Sequence, residues 1–358
     1  MDFGLSEEQQ QLKTSARELL AGECPTTTVR KAMASDNGTL PDLYREIAKL
    51  GWTGLIVPEE FGGAGLTMLD MAVLLEEQGY AAMPGPFLFS SVMATEALVR
   101  GGSQELKAKW LKGIADGSAV GTIAVAETND RSPSLGKDGR LNGKVMAPYA
   151  ALADFIVVAA RTDSNSVSMV LVETKSNSVA IKPLKHLDLT RRVASVDFKS
   201  AASSPLSGGE QLYQRLLDVG AVALAADSLG GMQRALDMAV DYSKVREQFG
   251  KPIGSFQALK HAAAEIVADL EPARSLLWYA AHALDAAPKQ ASRSAAMAKA
   301  RLCEVYSRGT DRAVLMHGGI GFTWEHDIHL WFKRARFNES YLGSPAFYRE
   351  RVAQLGGY

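Results

Sequence analysis

Cysteine is nearly absent. Cys24 and Cys303 are the only two among 358 residues, so no framework of several disulfides can hold this fold, and the usage suits a reducing cytosol. Charge of one sign is lacking as well. Lys and Arg number 39 against 40 Asp and Glu, for a net charge of −1, which removes the basic field that a nucleic-acid binder needs. No run approaches the roughly 18 uninterrupted apolar residues of a spanning helix. The opening Met1-Asp2-Phe3-Gly4-Leu5-Ser6-Glu7-Glu8 is acidic and is not expected to be a secretory signal. What is present is length, enough for a large core or for two to three domains. The expectation is a cytoplasmic globular protein with no membrane span and no nucleic-acid partner.

Three textures follow one another along the chain. Residues 1–117 read as a helical domain. Ser6 and Gln9 are disposed as a capping box, and Leu12, Ala16, Leu19 and Leu20 recur behind them at helical spacing. Further helices are predicted over 41–50, 68–78, 90–99 and 103–114, with a Pro- and Gly-marked loop over 57–65. Residues 118–207 change character. Short β-branched runs at 121–125, 155–160, 166–172 and 193–198 are separated by turn residues such as Asn142-Gly143 and Asp163-Ser164-Asn165. They predict a compact antiparallel β domain with an edge at Ile181-Lys182-Pro183. Residues 208–358 return to helix, with long Ala- and Leu-rich stretches over 212–246, 261–286 and 291–315. Small residues on long helices favour close packing as a four-helix bundle that also supports oligomer contacts. The fold class is α+β, in the order α, β, α.

One stretch invites a chemical reading. Between Tyr242 and Gln257, a helix is expected to stop at Gly250, Pro252 delays the next, and another begins near Phe256. Arg246 could set a planar fork against a phosphate, and Gln248 carries both a donor and an acceptor. A basic helix end that complements its own dipole is the plainer alternative, and the spacing alone favours it. Gly318-Gly319-Ile320-Gly321 lacks the preceding strand and the third glycine of a dinucleotide loop. His326 and His329 are better assigned to capping and surface hydrogen bonds than to a metal, and His186, His261 and His282 are read the same way. No metal is expected.

Three segments together carry a resemblance. Arg246-x-Gln248-Phe249-Gly250-x-Pro252-Ile253-x-x-Phe256-Gln257, Met316-His317-Gly318-Gly319-Ile320-Gly321-Phe322-Thr323-Trp324-Glu325 and Gly51-Trp52-x-Gly54-Leu55-x-Val57-Pro58-Glu59-Glu60-Phe61-Gly62-Gly63 resemble, in order and spacing over nearly the whole chain, the signatures of acyl-CoA dehydrogenases. The resemblance implies the fold of that family and α,β-dehydrogenation of an acyl-CoA thioester. In that reaction a carboxylate takes the α-proton and the β-hydride goes to FAD. It also implies that Arg246, Gln248, Phe249 and Gln257 reach the adenosine and pyrophosphate of a neighbouring chain's FAD, with Gly318 and Gly319 allowing close backbone approach. Leu315 departs from the pattern, because a Gln commonly lies three residues before the paired glycines.

The departures fall on the site itself. The family's usual base lies in a Tyr-Glu-Gly-Thr-like segment, and here Tyr341-Leu342-Gly343-Ser344 puts Leu342 in its place. The alternative base position, counted back from Arg246, is Gly220. Asp218 and Glu339 are the nearest carboxylates in sequence and are read as surface charges. The substrate- and flavin-holding loop is replaced by Ala126-Glu127-Thr128-Asn129-Asp130-Arg131-Ser132-Pro133. The segment that usually reads Trp-Ile-Thr-Asn becomes Val145-Met146-Ala147-Pro148-Tyr149, where Pro148 has no N–H to give a flavin.

Base and cradle missing together resemble the paired subunits of heterotetrameric (α2β2) acyl-CoA dehydrogenases that degrade sterol side chains. The expected role is a FAD-contacting, non-catalytic subunit of lipid metabolism and steroid degradation, with no catalytic residue of its own. Its expected partners are a second acyl-CoA dehydrogenase-like subunit that carries the base, an acyl-CoA substrate, and an electron-transfer flavoprotein as acceptor. The alternatives are a self-sufficient homotetramer that uses Asp218 or Glu339 as base, and a structural partner that never touches FAD. A monooxygenase on the same fold ranks last, since it too needs a flavin cradle.

Overall fold

The computed structural model describes residues 4–125, 132–162 and 166–358. Helix α1 (Glu7–Glu23) starts with the expected capping box: the Gln9 N–H donates to Ser6 Oγ at 3.2 Å and the Ser6 N–H to Gln9 Oε1 at 3.1 Å. Then come α2 (Thr26–Ala34), α3 (Pro41–Lys49), α4 (Met68–Tyr80), a π-helical turn (Leu88–Ala94) running into α5 (Thr95–Gly101), and α6 (Gln104–Ala115). Helix α2 was not legible from its Thr-Thr-Thr-Val start. The helix expected over 90–99 is instead the π turn followed by α5, with every residue of the turn buried.

The strands are β1 (Gly121–Ala124), β2 (Ser134–Leu135), β3 (Arg140–Pro148), β4 (Phe155–Arg161), β5 (Val167–Glu173), β6 (Val179–Pro183), β7 (Val193–Ala202) and β8 (Ser204–Leu206). They form one sheet in the order β6-β7-β3-β2-β4-β5-β8, with β1 paired to β4. The sheet is antiparallel except that β1 and β2 pair with β4 in parallel, so it is mixed rather than purely antiparallel. Pro183 lies on the edge strand β6, as expected. Asn142-Gly143 is not a turn: both lie inside β3, where a register shift and a φ of +125° at Gly143 mark a bulge. The expected turn at 163–165 lies outside the described residues.

The chain then continues as α7 (Gly209–Val245), the hairpin strands β9 (Glu247–Gln248) and β10 (Lys251–Pro252), α8 (Gln257–Ala286), α9 (Pro288–His317), a 3₁₀ turn (Gly318–Phe322), α10 (Ile328–Ser340) and α11 (Pro345–Leu355). Among the described residues no helix is long and apolar enough to cross a membrane.

Two compact units arise. One comprises residues 31–71 and 84–220, the other 1–30, 72–83 and 221–358. The first is built on the sheet, whose core face buries Leu141, Ile156, Val158, Val170, Val172, Val196 and Phe198. The second is built on helices that cross closely. A Cβ at Gly79 of α4 would sit 2.1 Å from the Asp227 carbonyl of α7, and one at Gly230 would sit 1.7 Å from that of Glu76. Glycine there is a condition of the crossing. Beside it lies a buried network. Arg334 of α10 reaches Asp227 with Nη2 at 2.5 Å and Nε at 3.0 Å, and donates to the Met83 carbonyl at 3.1 Å. Asn338 donates to the same carboxylate at 2.7 Å.

Candidate functional site

Helix α7 stops at Val245, five residues before the expected Gly250, because the chain folds straight back on itself. Gln248 pairs with Lys251 across a two-residue turn, in which Phe249 and Gly250 have φ of +56° and +77°. Two successive left-handed residues are the geometry of a type I′ hairpin. The turn leaves Phe249 90% exposed, with only the edge of Phe256 near it at 6.0 Å. Arg246, Gln248 and Gln257 are exposed too. Within the described residues the side chains of these three make no hydrogen bond or ion pair. The carbonyl-capping part of the plainer assignment of Arg246 is therefore not seen, although the cation still sits at the C-terminus of α7.

The second segment begins where α9 ends. Gly318 takes φ +64° and ψ −143°, and a Cβ at Gly318 or Gly319 would meet nothing within 4 Å. No neighbouring side chain requires these glycines to be small, although the positive φ of Gly318 itself favours glycine; the backbone is bare to solvent. Leu315, where a Gln is usual, is 66% exposed, and Phe322 is 71% exposed. The two segments are tied together by rings: His317 stacks on Tyr242 of α7 at 4.8 Å and meets His326 at 4.4 Å. Burial holds the His317, His326 and His329 imidazoles below their ordinary values. His326 Nδ1 accepts the Ile328 N–H at 3.2 Å, the capping role expected of it. The Tyr242–His317 contact had no sequence signal, since the two lie on different helices with a hairpin and a third helix between them.

The residues at the two expected base positions carry no carboxylate. Leu342, 2% exposed with φ +63°, closes α10 with an apolar side chain. Gly220 lies within α7. Glu339 accepts from Ser307 Oγ at 2.8 Å and from Arg336 at 3.2 Å. Asp218 is 4% exposed, so its assignment as a surface charge is corrected: it lies in a stretch of α7 that is buried on every side.

In the β-domain segment expected to lack a flavin cradle, Met146 is 65% exposed and Pro148 has no N–H. The Pro148 carbonyl is taken by the Thr122 hydroxyl at 2.5 Å. Tyr149, at φ +51°, turns inward, accepting from the Gly85 N–H at 2.8 Å and donating to the Thr190 carbonyl at 2.8 Å. The neighbouring loop 126–131 lies outside the described residues. Among the described residues only Ala82, Tyr149, Ser200, Phe249 and Leu342 are non-glycines with positive φ. Three of the five fall on the three segments just described, and such strain concentrates at functional sites.

Comparison with known proteins identifies the domains at either end of the chain. Residues 6–118 match the acyl-CoA dehydrogenase N-terminal domain and residues 207–356 the acyl-CoA dehydrogenase C-terminal domain. Acyl-CoA dehydrogenase IpdE2 of Mycolicibacterium smegmatis is 36% identical over 352 residues, covering 98% of both chains. The chain belongs to the acyl-CoA dehydrogenase family. Enzymes of this family are oxidoreductases acting on CH–CH groups, and they bind FAD. Two solved structures share the fold closely. The Tcur3481-Tcur3483 steroid ACAD G363A variant has a TM-score of 0.91 at 28% identity, with 98% of each chain covered. The ChsE4-ChsE5 complex of Mycobacterium tuberculosis has a TM-score of 0.91 at 27% identity, covering 100% of this chain and 99% of the other.

Proposed function

We propose that this chain is the FAD-contacting, non-catalytic subunit of a two-chain acyl-CoA dehydrogenase whose partner supplies the base. The observation that carries the reading is a contrast. Arg246, Gln248 and Phe249 stand exposed and unspent beside bare glycine backbone, while Leu342 and Gly220 leave no carboxylate at either base position.

Bound FAD supplies the hydride acceptor. Arg246 offers a planar fork of donors suited to a pyrophosphate, and Gln248 and Gln257 each offer a donor and an acceptor. Phe249 offers a ring face to an adenine. The Gly318–Gly319 backbone lets the dinucleotide approach closely. Leu342 has no atom that takes a proton, so the substrate's α-proton goes to a carboxylate of the partner. The own flavin-side segment, with Met146 and Pro148, does not fit an isoalloxazine, so this chain serves a flavin held mainly by the other subunit. The similar structures described as a steroid ACAD and as a ChsE4-ChsE5 complex support a bulky sterol-side-chain acyl-CoA as substrate and a second subunit as partner; an electron-transfer flavoprotein as acceptor is what the family resemblance implies.

Arg246→Ala tests the reading in the assembled complex. Losing a charge-assisted contact of about 1.5–3 kcal/mol weakens FAD binding roughly ten- to a hundredfold. Unchanged flavin affinity would instead favour a structural partner that never touches the cofactor. The buried Asp218 favours the one alternative worth carrying, a self-sufficient homomer with a displaced base. Turnover by the lone chain that disappears in Asp218→Asn would establish it.

A further inference from the structure

We propose that His317 is a positioning residue for the dinucleotide: its ring, packed in a corner against both Tyr242 and His326, fixes the Gly318–Gly319 turn in register with the Arg246–Gly250 hairpin. The inference rests on the FAD-contacting role proposed above, and concerns how that surface is held rather than what touches the cofactor.

The two segments belong to different helix ends. The hairpin leaves α7 four residues after Tyr242, and the glycine turn leaves α9 directly after His317. The rings of Tyr242 and His317 lie near parallel, 29° apart with centroids 4.8 Å apart, so the last turns of the two helices meet through this contact. His326 meets His317 at 4.4 Å and 56° and turns its edge to Tyr242 at 6.2 Å, so the three rings form one cluster. Only 3% exposed, His317 cannot itself reach a ligand on the surface. It is fixed from below as well. Its Nδ1 lies 2.7 Å from the Ala313 carbonyl, which can only accept, so Nδ1 carries the proton and the neutral ring is the Nδ1–H tautomer.

This arrangement makes the register sensitive to protons. The groups that face the stack are Tyr242 and the Met238 carbonyl from α7, the Ala313 carbonyl from α9, and His326 and Asp327 from the segment before α10. Arg30 of α2 pairs with Asp327 at 2.6 Å and acts on His326. The two carbonyls favour a charged His317, but burial outweighs them. A proton on His317 would also face His326 at van der Waals distance, with the Arg30 cation behind it. A ring whose neutral form is favoured in the native state gives full stabilisation above its ordinary titration range, and loses it as pH falls from there through the lower native value. A charged His317 would no longer rest against His326, so the glycine turn is expected to loosen and the flavin affinity of the complex to fall on acidification.

The experiment is FAD titration of the deflavinated two-chain complex between pH 8 and pH 5.5, in wild type and in His317→Phe, His317→Asn, Tyr242→Leu and Arg246→Ala. His317→Phe keeps the stacked ring and cannot take a proton. It should bind FAD close to wild type at pH 8 and lose the acid weakening. His317→Asn and Tyr242→Leu remove the stack and should weaken binding roughly two- to tenfold at every pH, the range of an aromatic pair contact. Thermal melts identify any variant that fails through unfolding, and the pair of His317 substitutions then still separates ring from proton. If both stack-breaking variants bind like wild type while Arg246→Ala weakens binding, the positioning role is overturned and the flavin reading survives. If Arg246→Ala is also silent, the flavin reading falls and this inference falls with it. An unchanged acid response in His317→Phe overturns the proton dependence assigned to His317.

Discussion

Replacing Arg334 by methionine removes one member of the buried α7–α10 pair while keeping most of the aliphatic volume. The arginine and Asp227 side chains are 2% and 1% exposed. The substitution deletes the guanidinium contacts to both carboxylate oxygens and the bond to the Met83 carbonyl. The cavity created is small, so the cost is almost wholly the carboxylate left without its cation in a dry interior, about 3–5 kcal/mol. Against a typical total of about 5–15 kcal/mol, that consumes a large share of the stability. Urea unfolding of the purified chain, followed by circular dichroism, measures it as a drop in midpoint at constant slope. The neutral pair Arg334→Met with Asp227→Asn should be less destabilised than Arg334→Met alone, since no buried charge is then left over. A loss below about 1 kcal/mol in the single variant, or a double variant worse than the single, would refute this account of the network.

Three other substitutions or reagents probe different claims. Gly230→Ala drives a Cβ into the Glu76 carbonyl across the helix crossing and should cost about 1–3 kcal/mol by urea titration; a neutral outcome would mean the crossing is looser than described. Burial pushes the Cys24 thiol up to about 12, and Cys303 is wholly buried, so a thiol-specific reagent at pH 8 should label neither in the native chain and both in urea. Prompt native labelling would contradict the packing of both helices. Leu342→Glu restores a carboxylate at the base position, yet the lone chain should remain without dehydrogenase activity, because Met146 and Pro148 still offer its own flavin no cradle. Turnover by that lone variant would show that the cradle had been misjudged.

Much of the architecture was legible because local signals and tertiary outcome agree. Ser6 and Gln9 announce α1, and the β-branched runs announce β1, β4, β5 and β7. What was missed follows from signals that were weak or non-local. The Thr-Thr-Thr-Val start hides α2, since β-branched residues are poor helix markers and the helix is set by its position after Pro25. The hairpin at Phe249-Gly250 was hidden because Phe stands where Asn or Asp would advertise a type I′ turn. Asn142-Gly143 carries that very signature and is instead a bulge within β3. At the candidate site, identities could be read but neighbourhoods could not. Leu342, Gly220 and Arg246 follow from counting along motifs. The inward turn of Tyr149, the burial of Asp218 and the stack of His317 on Tyr242 arise from contacts between distant segments, which no local pattern encodes. The buried Asp227–Arg334 pair, 107 residues apart, is of the same kind.

The division of labour between two chains is tested most directly by the flavin-to-protein ratio. The chain should be purified alone, and again after co-expression with an acyl-CoA dehydrogenase-like partner that carries the base, with FAD released and quantified from each. The account predicts little flavin and no turnover for the lone chain, and both stoichiometric FAD and dehydrogenase activity for the complex. Stoichiometric FAD with turnover in the lone chain would contradict it.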